Sequence, residues 1–296
     1  MKVLSITGGS TQGVGLSAIC VGMIEKGYKP DVIIGESVSA IFAIPLAMGD
    51  FFLIKNAMMS FTKNDIFGAF PPLGKKDKGP SVRGVFRLLS GKQSLGTQDA
   101  LVDYIRLFLT EEVFYNWKVL SKSGKCAKVL VATANFNTGL LEYRGLALYS
   151  YEEALDIILA SCNIPVLIDS VELDGGYHYD GGIIKAQSGT EFLKDSFWNI
   201  NEWRSVWNRP DAERTKEMMR KEFVPSNIIK VAGRSLELII KNESLQAEYL
   251  EDLICKGNNI KHKKYFFETE LDSLYDADLW EKEIDWRNGL KIGKQN

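Results

Sequence analysis

Two strand-to-helix turns within the first forty residues constrain the fold of this chain more than any other feature. In the second turn, the apolar run Val32–Ile34 ends at Gly35, Ser37 follows two residues later, and a new apolar run begins at Ile41. This order is typical of a buried strand, a tight turn and a helix. A serine at such a turn stands above the edge of a sheet, with a helix N-terminus beneath it.

The first turn has the same order and is rich in glycine. The apolar segment Lys2–Ile6 is followed by GGSTQGVG over residues 8–15, and then by the apolar helical stretch Leu16–Glu25. Free backbone N–H groups at a helix start bind anions, either a phosphate or the oxyanion of an acyl-transfer reaction. Because one helix separates the two strands, we expect them to be neighbours in a parallel sheet.

Strands and helices continue to alternate, which predicts an α/β fold. Beyond the two turns, helices are predicted at 51–61, 97–109, 154–160 and 228–253, and strands at 128–134, 171–173, 177–179 and 264–267. Ser150 and Glu153 have the spacing of a capping box. Residues 62–92 are predicted to form a flexible cap or loop insertion. The residues from Asp272 onward are predicted to form a charged tail.

The composition of the chain bears on which ligands and which cellular compartment are expected. The 296 residues are 45% hydrophobic and 25% charged, and the net charge of −2 gives no general attraction to nucleic acid. The four cysteines are scattered, which fits neither a disulfide framework nor a zinc site, and no other ligand cluster predicts a metal. With no membrane-spanning apolar run and no signal-peptide core, a cytoplasmic protein is expected, and any membrane contact is expected to be peripheral.

The glycine-rich turn has a second interpretation, as a dinucleotide-binding loop. Gly13-x-Gly15-x-x-Ala18 is a loose G-x-G-x-x-A motif, and the turn also resembles that of the short-chain dehydrogenases. In that family three residues separate the first two motif glycines, whereas four separate Gly8 from Gly13. None of the 11 tyrosines has the required lysine four residues later. An NAD(P)-dependent Rossmann-type oxidoreductase is therefore the less favoured alternative.

A Ser-Asp-His triad is a further alternative, and it needs a histidine base. Of the two histidines, His178 lies two residues before Asp180 and is interpreted as a partly exposed hairpin residue. His262 lies in a basic segment that is interpreted as a solvated turn. The α/β-hydrolases also place their serine after several strands, whereas Ser37 follows only two. A histidine base is therefore poorly supported.

Three motifs, in order, resemble those of the patatin-like phospholipases. That family has a G-G-G-x-R-G turn, a G-x-S-x-G elbow and a downstream D-G-G or D-G-A. The similar segments here are GGSTQG at 8–13, GESVS at 35–39 and DGG at 180–182. The segment 160–165 also resembles the family's S-A-S-x-A-x-P helix end. The resemblance covers residues 1–190 well and the remainder weakly.

The resemblance implies a patatin-like three-layer α/β/α fold with a mostly parallel central sheet. It implies one domain over 1–296, with a core at 1–190 that includes the cap at 62–92, and a diverged, mostly helical part at 191–296. The implied activity is lipid acyl hydrolysis of phospholipids or other acyl lipids, with Ser37 as nucleophile, Asp180 as general base and no cofactor. The implied supporting residues are Gly8, Gly9, Ser10, Thr11, Gln12 and Gly13 for the oxyanion hole, Gly35 and Ser39 for the elbow, and Gly181 and Gly182 for the base motif. The oligomeric state is not predicted.

Three departures from the family motifs bear on activity. Ser10 replaces a glycine, Gln12 replaces the arginine, and Ser39 replaces the second glycine of the elbow. A Cβ at position 10 adds bulk to the turn, and an amide at position 12 lacks the charge of a guanidinium group. A catalytically weak or inactive binding protein with a patatin fold is therefore the alternative from a different class.

Part of the cap is predicted to contact a lipid surface. Residues 67–78 combine three apolar side chains with three lysines, a mixture that suits an anionic interface. The residues in question are Phe67, Phe70, Leu73, Lys75, Lys76 and Lys78. A loop that only covers the core is the alternative.

Overall fold

A single sheet of eight strands runs through the part of the chain that the structure describes. The computed structural model describes residues 1–9, 12–67, 81–97, 99–220, 228–269 and 278–295. The strands are β1 (Lys2–Ile6), β2 (Val32–Gly35), β3 (Lys128–Asn135), β4 (Leu140–Gly145), β5 (Val171–Leu173), β6 (Gly176–Asp180), β7 (Glu202–Trp207) and β8 (Lys261–Phe266). The helices are α1 (Gly13–Glu25), α2 (Val38–Met48), α3 (Phe51–Ser60), α4 (Lys63–Phe67), α5 (Val82–Leu89), α6 (Asp99–Arg106), α7 (Glu111–Lys122), α8 (Tyr151–Cys162), α9 (Gly189–Ser196), α10 (Ala212–Met219), α11 (Ile228–Gly257) and α12 (Leu279–Lys294).

The sheet is mostly parallel and has helices on both faces. Its central strands run in the order β3-β2-β1-β7-β8, all parallel, and β4, β5 and β6 join antiparallel on the β3 side. On one face, Leu4 and Ile33 pack with α1, α2 and α8, and on the other, Val3 and Ile34 pack with α9 and α11. Strands that are buried on both faces have continuous apolar sequences, which is why β1 and β2 were predictable. The three-layer α/β/α fold is confirmed.

The pairing of β3 brings two distant segments to one place. β2 pairs with the start of β3, where Gly35 lies opposite Val131, and β4 occupies the other edge of β3. β6 pairs further along β3, where Asp180 lies opposite Thr133. Since β4 fills the far edge, β6 lies on the same edge as β2 and continues beyond its end. Two residues span about 7 Å along a strand, so β6 ends beside the turn that follows β2.

The C-terminal segment completes the fold. Helix α12 packs on α1 through glycines: a Cβ at Gly289 would lie 2.4 Å from the carbonyl oxygen of Gly15, and one at Gly293 would lie 2.1 Å from that of Ile19. The prediction of a charged tail from Asp272 is therefore wrong over α12, which is a packed helix. The same C-terminal part adds β7 beside β1, a strand that the sequence pattern did not predict.

Other local predictions are confirmed. Ser150 and Glu153 form a capping box at the start of α8. The predicted hairpin joins β5 to β6, and Asp174 and Gly175 form its turn with φ of 52° and 77°, as a two-residue hairpin requires.

The described part of the predicted cap consists of α4 and α5. Phe67, at the end of α4, is buried in the main core, so the prediction that it enters a lipid surface is wrong. The other residues of that prediction, at 70–78, lie outside the described residues. No helix in the described part of the chain has both the length and the hydropathy to cross a membrane.

Candidate active site

Ser37 occupies a strained turn between β2 and α2. Its backbone has φ of 55° and ψ of −136°, a region that residues other than glycine rarely adopt. The turn is held by Ser161, whose Oγ accepts the Ser37 N–H at 2.9 Å. It is also tight, since a Cβ at Gly35 would lie 3.0 Å from the backbone of Ser39. This geometry is typical of a nucleophile elbow, in which strain holds the serine hydroxyl above the sheet.

Ser39 supports this turn from inside. It is fully buried, its Oγ accepts the Glu36 N–H at 2.8 Å, and the same oxygen lies 2.9 Å from the carbonyl oxygen of Ile6. The hydroxyl therefore joins the ends of β1 and β2. The departure from glycine at this position adds hydrogen bonds to the turn rather than bulk against it.

Asp180 ends β6 with its carboxylate at Ser37. The side chain is buried, Oδ1 accepts the Gly182 N–H at 2.9 Å, and the Ser37 hydroxyl interacts with the same carboxylate. The Asp180 N–H donates to the carbonyl oxygen of Asn163 at 2.8 Å, which fixes the end of the strand. Burial raises the pKa of Asp180 to about 6, while the hydrogen bonds from Gly182 and Ser37 oppose the rise. Gly181 packs against β3, and a Cβ there would lie 3.0 Å from the carbonyl oxygen of Ala132, which is closer than side chains usually approach.

The glycine-rich turn passes directly over Ser37. A Cβ at Gly8 would lie 2.5 Å from the Cβ of Ser37, so only glycine fits there. Gln12 and Gly13 lead from this turn into α1. Residues 10 and 11, the centre of the predicted oxyanion hole, lie outside the described residues. The described part of the turn and the elbow are therefore in direct contact, as the order of the motifs predicted.

Asn208, which follows β7, holds the glycine-rich turn from the other side. Its Nδ2 donates to Gln12 Oε1 at 2.8 Å, and its backbone N–H donates to Thr7 Oγ1 at 2.9 Å. A Cβ at Gly9 would lie 2.2 Å from the same Nδ2, so the amide packs against the backbone of the turn. Gln12 therefore joins the turn to the sheet through a neutral amide pair, at the position where the family motif has arginine.

Glu36 is a second buried acid at the site, and it is not among the residues predicted from the sequence. Its Oε1 accepts the Gly8 N–H at 3.2 Å and its Oε2 accepts the Ser188 N–H at 2.8 Å. Burial, with a smaller contribution from Asp180, raises the pKa of Glu36 to about 8, against the hydrogen bonds from Ser188 and Gly8. Both acids border Gly182, where a Cβ would lie 3.2 Å from Asp180 Oδ1 and 3.4 Å from Glu36 Oε1. The protonation of one acid therefore affects the other.

Both histidines have partners away from Ser37. His178 is fully buried in β6, not partly exposed as predicted, and its Nδ1 lies 3.1 Å from Thr133 Oγ1. Burial lowers the pKa of His178. His262 lies in β8 rather than in a turn, with ring nitrogens 3.4 Å from Glu251 and 3.2 Å from Asp252 of α11. Within the described ranges, no group of three or more His, Cys, Asp and Glu side chains is arranged to hold a metal ion.

Four residues that shape the site were not assigned these roles from the sequence. Ser161 and Asn163 belong to the helix-end motif, which marked their position but not their contacts with Ser37 and Asp180. Glu36 had a visible signal, because it is a charged residue between two buried apolar segments. Asn208 had none, since it follows a strand that the pattern did not reveal.

The comparisons with known proteins show the family of the chain. The family model of the patatin-like phospholipases matches residues 4–187. The chain belongs to the patatin-like phospholipase family. The match includes both turns and Asp180, so the resemblance drawn from the three motifs is confirmed. Lipid acyl hydrolysis is the activity that membership of this family supports in general.

One solved structure shows that the similarity of fold extends beyond the matched segment. VipD from Legionella pneumophila superposes with a TM-score of 0.54 at 13% sequence identity, over 99% of this chain and 66% of that chain. The chain therefore spans about two thirds of the length of VipD. At this identity the similarity shows the fold, including the C-terminal part. A search of curated proteins found no match.

Proposed function

We propose that this protein hydrolyses acyl esters of phospholipids or related lipids with a serine–aspartate dyad. The observation that carries the proposal is Ser37 on a strained elbow, where its hydroxyl interacts with the buried carboxylate of Asp180 and lowers the pKa of that acid. The two residues come from motifs 143 positions apart (180 − 37), and the pairing of β6 beyond the end of β2 brings them together.

The proposed reaction has two steps that use the same groups. Ser37 Oγ attacks the ester carbonyl carbon while Asp180 accepts the hydroxyl proton, and the alcohol leaves with that proton to give an acyl-enzyme. Water then attacks the acyl carbon, Asp180 accepts a proton from the water, and the fatty acid leaves as Ser37 regains its hydrogen. Because burial raises the pKa of Asp180 to about 6, it is a stronger base than a free aspartate of pKa about 3.9 and is still largely ionised at neutral pH. These steps need no metal or cofactor.

The glycine-rich turn is the proposed oxyanion site. The turn lies against Ser37, and the N-terminus of α2 adds a favourable dipole at the same place. The Gly8 N–H already donates to Glu36, so Gly8 is removed from the predicted set of oxyanion donors. The proposed donors are the backbone N–H groups of Gly9, Ser10 and Thr11.

A fluorophosphonate probe tests the proposal, because it reacts only with an activated serine. We expect labelling of the purified protein, with the label mapped to the peptide that contains Ser37, and much slower labelling of Asp180→Asn. A label on Ser39 or Ser161 would overturn the dyad. A folded protein that takes no label would instead favour the binding protein with a patatin fold.

Removal of the Asn208 side chain is expected to lower kcat for a soluble ester by roughly fivefold to tenfold. One buried hydrogen bond contributes about 1 kcal/mol, and its loss at Gln12 releases the turn proposed to stabilise the transition state. Steady-state kinetics of Asn208→Ala measure the effect. Asn258→Ala is the control, since the Asn258 side chain bonds only within its own exposed helix end. Equal kcat in Asn208→Ala and wild type would show that the turn is ordered without this contact.

A further inference from the structure

Helix α5 presents an apolar stripe to solvent. Val82, Val85, Phe86 and Leu89 have the spacing i, i+3, i+4 and i+7, which places them on one face of the helix. They are 88%, 41%, 71% and 81% exposed, in that order. A helix normally buries such a face, and a contiguous exposed apolar patch marks an interaction surface. We call these four residues the α5 stripe.

The segment that carries the α5 stripe is basic. Residues 81–97 contain Arg83, Arg87 and Lys92 and no acidic residue, in a chain whose net charge is −2. A short helix with an apolar face and basic neighbours suits an anionic lipid surface, because the apolar side chains enter the boundary with the acyl chains. Arg87 pairs with Asp169. Arg83 and Lys92 are exposed, and they are the cations that meet the head groups.

Helix α5 is attached to the segment that leads to Asp180. Arg87 Nη2 donates to Asp169 Oδ2 at 3.0 Å, and Ser94 Oγ donates to Asp169 Oδ1 at 2.6 Å. Asn163 Nδ2 donates to the carbonyl oxygen of Asp169 at 2.6 Å, and the Asp180 N–H donates to the carbonyl oxygen of Asn163 at 2.8 Å. Three hydrogen bonds, through Asp169 and Asn163, therefore connect α5 to Asp180.

Two further apolar side chains are exposed near Asp180 in the sequence. Val166 is 60% exposed, and its carbonyl oxygen accepts the Leu95 N–H at 2.8 Å, which ties the chain after α5 to the same segment. Ile183, directly after the base motif, is 44% exposed. Exposed apolar residues thus lie before and after Asp180 along the chain, at Val166 and Ile183.

We propose that the α5 stripe docks this protein on an anionic lipid surface and so presents Ser37 to its lipid substrate. The presentation of Ser37 rests on the proposed function, but the docking itself does not. A second copy of the chain or a protein partner would use the same apolar residues without needing anionic lipid, and the experiment separates these occupants.

The test is vesicle sedimentation with the Phe86→Ser/Leu89→Ser variant. We expect wild type to bind phosphatidylcholine vesicles that contain about a third phosphatidylserine, and to bind pure phosphatidylcholine more weakly because the cations lose their partners. The double variant should bind the mixed vesicles at least tenfold more weakly. Phe86→Leu, which keeps an apolar side chain, should bind as wild type does. Circular dichroism and thermal unfolding show whether each variant is folded.

Leu148→Ser is the matched control. Leu148 is 82% exposed, close to Leu89 in type and exposure, but it precedes the start of α8, whereas Ser161 and Asn163 lie at its end. Twelve helical residues span about 18 Å, so this control lies well away from the site. Leu148→Ser should bind vesicles as wild type does. Equal binding by wild type and the double variant, or equal loss in Leu148→Ser, would overturn the proposal.

Two further measurements distinguish lipid from a second copy of the chain at the α5 stripe, and lipid docking from ester hydrolysis. Loss of concentration-dependent dimerisation in the double variant, with vesicle binding unchanged, would show that the stripe contacts a second copy and would overturn lipid docking. Hydrolysis of a soluble short-chain ester should be equal in wild type and the double variant, since the dyad is intact. If Ser37→Ala has the same esterase activity as wild type, the proposed function fails, while loss of vesicle binding in the stripe variant still supports docking.

Discussion

Ser37→Ala, Asp180→Asn and the double variant are each expected to lose ester hydrolysis by about a thousandfold or more, and to a similar extent. A nucleophile and its base act as one unit, so removing the second after the first costs little further activity. The structure gives the physical reason, since the Ser37 hydroxyl interacts with the Asp180 carboxylate and lowers its pKa. An asparagine at 180 keeps the shape of the side chain but cannot accept the proton. Steady-state hydrolysis of a soluble ester, with circular dichroism as a check on folding, measures the effect.

Ser39→Ala is the matched control for this series. Ser39 lies two residues from Ser37 in the same turn, but its hydroxyl bonds to the backbone of Glu36 and Ile6. We expect this variant to unfold at a lower temperature than wild type, because the Ser39 hydroxyl supports the turn. The fluorophosphonate probe should still label Ser37, because the Ser39 hydroxyl takes no part in the proposed chemistry. Near wild-type hydrolysis by Asp180→Asn, or losses that multiply in the double variant, would contradict the dyad.

The rate of hydrolysis is expected to rise with pH through about 6 and to fall above about 8. The lower limit follows from Asp180, whose pKa burial raises to about 6 and which must be ionised to accept a proton. The upper limit follows from Glu36, whose pKa burial and Asp180 raise to about 8. Ionised Glu36 places a negative charge beside Asp180 and the Gly8 turn, where it opposes an oxyanion.

Glu36→Gln tests the upper limit. The variant should lose the decline above about pH 8 and keep the rise through about pH 6, whatever its maximal rate. Glu243→Gln is the control, because Glu243 is a partly exposed acid that pairs with Lys185. If Glu36→Gln keeps the same upper limit as wild type, the decline does not come from Glu36. The pH dependence of kcat/KM for a soluble ester gives both limits.

The same two acids predict how stability depends on pH. Folding raises the pKa values of Asp180 and Glu36 above the ordinary values of 3.8 and 4.5, so the folded state binds these protons more tightly than the unfolded state. The contribution of these two acids to the free energy of unfolding is therefore greatest below about pH 4 and decreases as pH rises toward 8. Glu36→Gln should show a shallower decrease between pH 5 and 8 in denaturant titrations. An equal slope would show that Glu36 does not bind a proton in this range.

Strand β7, which the sequence pattern did not predict, shows why hydrophobic patterns fail to reveal some buried strands. β7 is fully buried beside β1, yet it contains Glu202 and Arg204, which interrupt an apolar run. The two side chains pair with each other at 2.7 Å, and the Arg204 guanidinium lies 3.7 Å from the ring centroid of Tyr28. Burial becomes tolerable only through these partners, one from the same strand and one, Tyr28, from the turn after α1. The sequence pattern therefore indicated a polar segment where the structure has a central strand.

By itself the sequence determined the local units of the site: the strand, turn and helix around Ser37, the glycine-rich turn before it, and the hairpin that leads to Asp180. Each depends on residue types at neighbouring positions, so spacing alone can predict it. Only the tertiary structure decided that Glu36 faces Asp180 across Gly182 and that Asn208 closes over the glycine-rich turn. Burial, hydrogen-bond partners and pKa depend on which distant segments share an edge of the sheet, and spacing along the chain does not encode that arrangement.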